Sequence, residues 1–516
     1  MNQLKAGAAL NYISIILNMV VGLIYTPYML RMLGQSEYGL YSLAASIIAY
    51  LTVLDLGFGN AIIRYTAKYR AEGKQKEQEE MFGMFFILYI GIGVIAMAIG
   101  SALSLNVEHL FSRSMTEIEV ERTRIMLWLM TFNLAFTFPM SVWGSIMTAY
   151  ERFVFQRIIS IIRSVLNPIV MVLLLVIGYK AVAMVVVTTA FNVATLLINW
   201  WYCKNRLKIK IRFTKFKWGL LKEVSIYSFW IFLNVIMDRI YWSTGQFVLG
   251  IYKGAVAIAV YAVAIQLQNM YMLFSTAISG VMLPKVTNMI TNGANEEWVS
   301  NLFIRMGRIQ YIIIGFILSS FVVFGKIFIR LWAGDNYTDA YYLCLIFFFP
   351  FTIDLIQNIG ITILQARNQM RFRSILLTVT AICSLFLSIA LVKPFGYYGC
   401  AAATGIGLFC GQGLIMNFYY YYKQHIDILQ FWKEIVKMSV IPVVAAVIGY
   451  LVLNSRIMGD MTFVKFILSA IVFTIFYITS FWLVGMNDYE HELFSKPCKN
   501  IFLKCSKIFS LTQERH

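Results

Sequence analysis

The chain has 516 residues, 60% of them hydrophobic and only 13% charged, with a mean hydropathy of +0.72 and a formal net charge of +18. That balance excludes a soluble globular protein and points to an all-α integral membrane protein. Apolar runs of roughly 20 residues, each enough for a helix to cross a hydrocarbon core of ~30 Å, follow one another with short polar interruptions.

About fourteen spans are expected. The first six fall near 8–30, 39–62, 81–105, 125–149, 158–178 and 181–202, the last two divided only by "GYKA" at 178–181. The next six fall near 225–250, 255–282, 306–332, 340–365, 374–392 and 396–422, and a final pair near 438–454 and 462–485. The 43 Lys and Arg residues orient them. With the N-terminus inside, the loops at 63–80, 203–224 and 366–373 and the tail after 485 carry most of the basic charge and fall on the cytoplasmic side, where such loops are retained. The dense run at 204–222 then reads as positive-inside bias and a contact for anionic phospholipid. It does not read as a nucleic-acid site. No cleavable signal peptide is expected, since the first apolar run is full length with only Lys5 before it.

Seven cysteines are scattered without CxxC spacing, so neither disulfides nor a metal site is expected. The four histidines all lie in loops or the tail, leaving no intramembrane imidazole base. An enzyme is disfavoured, and no cofactor is expected.

An internal repeat organises the spans. "NYISIILNMVVGLIYTPY" (11–28) overlies "YSFWIFLNVIMDRIYWST" (227–244) with a shared I-x-L-N-x5-I-Y, aligning Asn18 with Asn234 and Tyr25 with Tyr241. Three weaker matches follow in order at offsets of about 216 to 220: "EYGLYSLAASI" over "AIAVYAVAIQL", "TAYERFVF" over "LQARNQMRF", and "GYKAV" over "GYYGC". A duplicated six-helix unit is implied. Six is even, so both copies enter from the same side and an axis along the membrane normal relates them. The expected organisation is two pseudo-symmetric six-helix lobes, 1–202 and 225–422, around a central cavity. A basic cytoplasmic linker (203–224) joins them, and two additional helices (423–485) and a basic tail (486–516) follow.

Asp238 and Arg239 stand side by side in the seventh span, "LNVIMDRIYW". Neighbours on a helix point about 100° apart, so neither satisfies the other and each needs its own partner or water. Asn234 lies a turn before and Gln246 two turns after, making one face polar. Other polar candidates near mid-membrane are Asp55, Gln266, Gln268, Asn269 and Asp354. The plainer reading is that Arg239 pairs with Asp354 or Asp55 to hold helices together and that Asn18 and Asn234 are interhelical hydrogen bonds.

The block "TPYMLRMLGQSEYGLYSLAASIIAYLTVLDLGFGNAIIRY", through its elements "LGQSEYGLY" (33–41) and "LDLGFGNAIIRY" (54–65), resembles the polysaccharide-transporter family of O-antigen and capsule repeat-unit flippases, within the multidrug/oligosaccharidyl-lipid/polysaccharide exporter superfamily. The resemblance implies two lobes in a V, a bacterial inner membrane, and an oligosaccharide on undecaprenyl pyrophosphate as cargo. A polysaccharide polymerase or chain-length regulator would be its partner. For that cargo Arg239 is the candidate pyrophosphate ligand, with Asn18, Asn234, Gln246, Gln268 and Asn269 lining the cavity and Arg64, Arg163, Arg305 and Arg308 drawing the head group to the cytoplasmic mouth. The alternatives are a cation-coupled multidrug exporter, using Asp238, Asp354 or Asp55, and a non-transporting scaffold of a glycan assembly complex. The coupling cation stays open.

Overall fold

The computed structural model describes residues 3–213, 218–293, 295–453 and 463–495, and every regular element among them is helical. The first eight helices are α1 (Gln3–Leu51), α2 (Phe58–Ala71), α3 (Gln75–Leu105), α4 (Val107–Phe111), α5 (Glu117–Ala149), α6 (Phe153–Ile177), α7 (Ala181–Asn205) and α8 (Trp218–Tyr252). There follow α9 (Ala255–Thr291), α10 (Glu296–Trp332), α11 (Ala340–Ile356), α12 (Asn358–Ala366), α13 (Arg371–Leu408), α14 (Met416–Tyr422), α15 (Ile428–Leu453) and α16 (Phe463–Ser480).

Eleven stretches of the described residues are long and apolar enough to cross a membrane. Two of them, Ile13–Ala71 and Arg371–Tyr422, run to 59 and 52 residues, where one crossing needs about 20. Each is broken at a glycine in the left-handed region, Gly34 (φ 74°) and Gly396 (φ 58°). Any side chain there would cost ~1–2 kcal/mol, so glycine turns the chain between two passes where a polar loop was expected. The "GYKA" break is real as well, with Gly178 at φ 99° capping α6.

Two turns aligned by the repeat share a backbone device. In "TAYERFVF" α5 ends at Ala149 and Glu151 is left-handed, while in "LQARNQMRF" α12 ends at Ala366 and Asn368 is left-handed. The basic linker is shorter than expected, because α7 runs on to Asn205 and α8 begins at Trp218. Its extended part alternates, with Leu207, Ile209 and Ile211 packed on the core of α2, α3 and α5 and Arg212 donating from Nε to Glu79 at 2.6 Å.

Contacts divide the chain into two compact units. One is Met1–Met270, Trp332–Phe347 and Arg371–Gly411, and the other is Tyr271–Leu331, Phe348–Met370 and Gln412–His516. In the first, Phe58, Phe85, Tyr89 and Phe138 form an aromatic centre, with Tyr89 and Phe138 stacked at 6.3 Å between centroids. In the second, Tyr271 stacks on Phe348 at 4.3 Å and Phe303 meets Phe431 edge-on at 5.0 Å.

Candidate functional site

The polar site of the first unit arises from two helical stripes. Positions 18, 21, 25 and 29 of α1 and 160, 163, 167 and 171 of α6 recur every three or four residues, so each helix turns one face inward. With α7 and α9 they border an open cavity of about 500 Å³ that Asn18, Tyr25, Tyr38, Tyr41, Ser160 and Arg163 help to line. Pro168 and Ser164 also line it. Proline has no N–H, so the Ser164 carbonyl receives no helical bond from it.

Arg163 is the one charged side chain among the described residues lining this cavity. It is the eleventh residue of the 25-residue α6, about 15 Å along the helix, so it stands at mid-span. The charge pattern of the sequence suggests a cytoplasmic mouth for it, whereas its place on α6 is near the middle of the helix. Its Nη1 donates to Asn192 Oδ1 at 3.0 Å. The Asn192 amide nitrogen donates in turn to Asn133 Oδ1 and Thr137 Oγ1, both at 2.8 Å, which fixes its oxygen toward the guanidinium. Asn18 donates to Ser14 Oγ at 3.4 Å, and Gln266 donates to Thr26 Oγ1 at 2.6 Å. Asn167, one turn beyond Arg163, lines the same cavity, and its side-chain oxygen accepts no hydrogen bond.

A second charged group lies on α8 and α13. Asp238 is exposed and feels the charges of Arg239 and of Arg373, which is buried. The Nε of each arginine is buried without a hydrogen-bond partner, and among the described residues neither forms an ion pair. Tyr241 donates to Thr380 Oγ1 at 2.7 Å. Thr380 is nine residues past the start of α13, about 13 Å along it, and Tyr241 meets it there.

The remaining candidates scatter. Asn234 has its side chain outside the described residues. Gln246 and Gln268 are buried, with both amide atoms of Gln268 unpaired, and Asn269 is exposed. Asp55 accepts from Tyr89 at 2.9 Å in the turn before α2. Asp354 stands on α11 three residues before the break at Gln357, and it is not a free charge. Arg64 is exposed on α2, and Arg305 lies over the Tyr489 ring at 5.1 Å.

Arg308, expected at the mouth, is buried and paired. It is 5% exposed, and its Nε and Nη2 hold both oxygens of Glu490 at 2.7 and 2.9 Å. Nη1 donates to Glu434 and Nη2 also to the Gly485 carbonyl. Two carboxylates have consumed it. The motif "LGQSEYGLY" is likewise a joint: Gln35 donates to the Asn336 carbonyl at 2.6 Å, Ser36 to Glu119, and Glu37 pairs with Arg122. Sequence reasoning missed Arg373, hidden among positive-inside loop charges, and Asn192 with Asn133, whose signal was an amide inside each of two apolar runs.

A family model described as "Polysaccharide biosynthesis protein" matches residues 4–289. A Shigella flexneri protein assigned as an O-antigen transporter is 20% identical over 386 residues, covering 73% of this chain and 88% of its own. Among solved structures, the lipid II flippase MurJ in an inward closed conformation superposes with a TM-score of 0.70 at 16% identity, over 92% of this chain and 98% of that one. An inward-facing multidrug resistance transporter of the MATE family gives 0.63 at 14% identity, over 81% and 99%. The shared feature is the fold.

Proposed function

The chain belongs to the polysaccharide biosynthesis protein family, and from that premise we propose that it is a flippase. It carries an undecaprenyl-pyrophosphate-linked oligosaccharide repeat unit from the inner to the outer leaflet of a bacterial cytoplasmic membrane by alternating access. Both termini are cytoplasmic, and the duplicated six-helix lobes supply the moving halves. The observation that carries this reading is a cavity of about 500 Å³, lined by hydroxyls, amides and one guanidinium alongside methionine and valine side chains, inside helices otherwise apolar enough to span a membrane.

Such a cavity does what hydrocarbon cannot. Sugar hydroxyls and a pyrophosphate lose water on entering a bilayer, so each needs a replacement partner along the path. The polyprenyl tail needs none and stays in lipid. Arg239 and Arg373 are the pair we assign to the pyrophosphate, because two guanidiniums with unpaired buried Nε atoms suit an anion of more than one charge. Asp238 then acts as their counter-ion while the site is empty.

The fold is shared with a multidrug transporter, which makes cation-coupled drug export the second reading. A cationic drug would meet Arg163 with no carboxylate among the described lining residues, an arrangement that repels it. Deleting the protein separates the readings. Loss of a flippase strands lipid-linked oligosaccharide on the inner leaflet, where an impermeant glycosidase added to everted vesicles cleaves it. Unchanged lipid-linked oligosaccharide together with altered drug susceptibility would sink the flippase reading.

A further inference from the structure

We infer that the cavity between α1, α6 and α7 is a receptor for a carboxylate-bearing sugar, such as a uronic acid, held by the free edge of Arg163. The inference rests on the flippase reading and names the sugar class that reading leaves open. Nη1 of Arg163 is occupied by Asn192, which leaves Nε and Nη2 as its two donors without a partner among the described residues. Those two N–H groups form one planar fork, and a carboxylate presents two oxygens at matching separation. The fork is pre-set, because Asn192 is itself held by Asn133 and Thr137.

Charge points the same way. One uncompensated guanidinium in a membrane-spanning bundle is expensive unless an anion visits it, and a single cation is matched by a single carboxylate. A pyrophosphate carries more than one charge and would be left under-compensated there, whereas the pair Arg239 and Arg373 suits it. The rest of the lining, with Asn18, Ser160, Asn167 and three tyrosines, offers hydrogen bonds to hydroxyls and faces for ring stacking. The volume falls within the range of small-molecule sites.

The test uses the full-length protein in nanodiscs and two undecaprenyl-pyrophosphate disaccharides that differ only in ending with glucuronic acid or glucose. Wild type should bind the glucuronate-terminated lipid about tenfold more tightly, the value of roughly one charge-assisted hydrogen bond. Arg163→Gln should erase that preference and Arg163→Lys keep part of it. A wild type that binds neither lipid or does not discriminate, or an Arg163→Gln protein that weakens both lipids by the same factor, would overturn the inference. Translocation is read separately by leaflet accessibility in proteoliposomes. A wild type that discriminates but moves neither lipid would refute the flippase reading and leave the receptor standing; one that moves both lipids with equal affinity would do the reverse.

Discussion

Arg163 and Arg308 are both arginines inside long apolar helices, one in each compact unit, and their surroundings are opposites. Arg308 meets two carboxylates and a carbonyl, and it fastens α10 to α15 and to the helical segment 488–495. Arg163 meets one neutral amide and faces a cavity. A guanidinium saturated by carboxylates is a rivet, whereas one held in place by an amide keeps its charge for a visitor. Arginine content and depth alone do not distinguish the two; the identity of the partner does.

The largest effect expected from this contrast is on the rivet. Arg308→Gln leaves Glu490, 1% exposed, and Glu434 without their cation, and breaking a buried pair from one side costs about 3–5 kcal/mol. Thermal unfolding of the detergent-solubilised protein should therefore come markedly earlier, or the variant should fail to accumulate. Replacing all three charges by Gln should recover much of the loss. An Arg308→Gln protein of normal stability that has lost transport would break the comparison, since it would make Arg308 a cargo residue.

Next comes Arg239. If it takes the pyrophosphate, Arg239→Gln should lower translocation by roughly ten- to a hundredfold, matching ~1.5–3 kcal/mol for a charged hydrogen bond, with little change in unfolding temperature. Lysine should rescue in part, because it keeps the charge but not the fork. Normal transport by Arg239→Gln would remove Arg239 from the pyrophosphate site.

A smaller effect is expected at Asn192. Asn192→Ala removes the bond that aims Arg163 and leaves Asn133 and Thr137 without its amide. The stability change should be about 1 kcal/mol. The preference for a glucuronate-terminated lipid should fall while Arg163 itself is intact. Retention of the full preference would mean that the cavity alone orients the guanidinium.

How much of this was legible beforehand follows from how far apart the partners lie in the chain. Apolar runs and their breaks are local, so "GYKA" and the charged pair at 238 and 239 could be read directly. Arg308 could not, because Glu434 and Glu490 lie 126 and 182 residues away. Arg163 was visible, but its position on α6 depends on where that helix begins, at Phe153, and not on the edge of the apolar run. Arg373 was hidden by its own company, since it closes a basic loop in which any one charge looks like orientation bias. The family-like motif told of membership and not of cargo, and its side chains prove to be tied up in the joint around Gly34.

The smallest perturbation compares the two regions without removing any charge. Asn18 is exposed and lines the cavity near Arg163, whereas Gln310 is fully buried among the packed helices of the second unit, where its amide nitrogen donates to the Leu355 and Ile356 carbonyls and its oxygen accepts from Ser279 Oγ. In a background lacking all seven cysteines, Asn18→Cys should react with a water-soluble maleimide and Gln310→Cys should not. Cysteine at 234, the repeat counterpart of 18, should react as Asn18→Cys does if both copies of the duplicated helix border water. An excess of acidic disaccharide lipid should slow labelling at 18, because the sugar occupies the space the reagent must cross. Protection at 18 in the empty protein would mean that the cavity is closed to water. Arg163 would then be a guanidinium buried with a single amide for company, an arrangement too costly to leave its charge waiting for cargo.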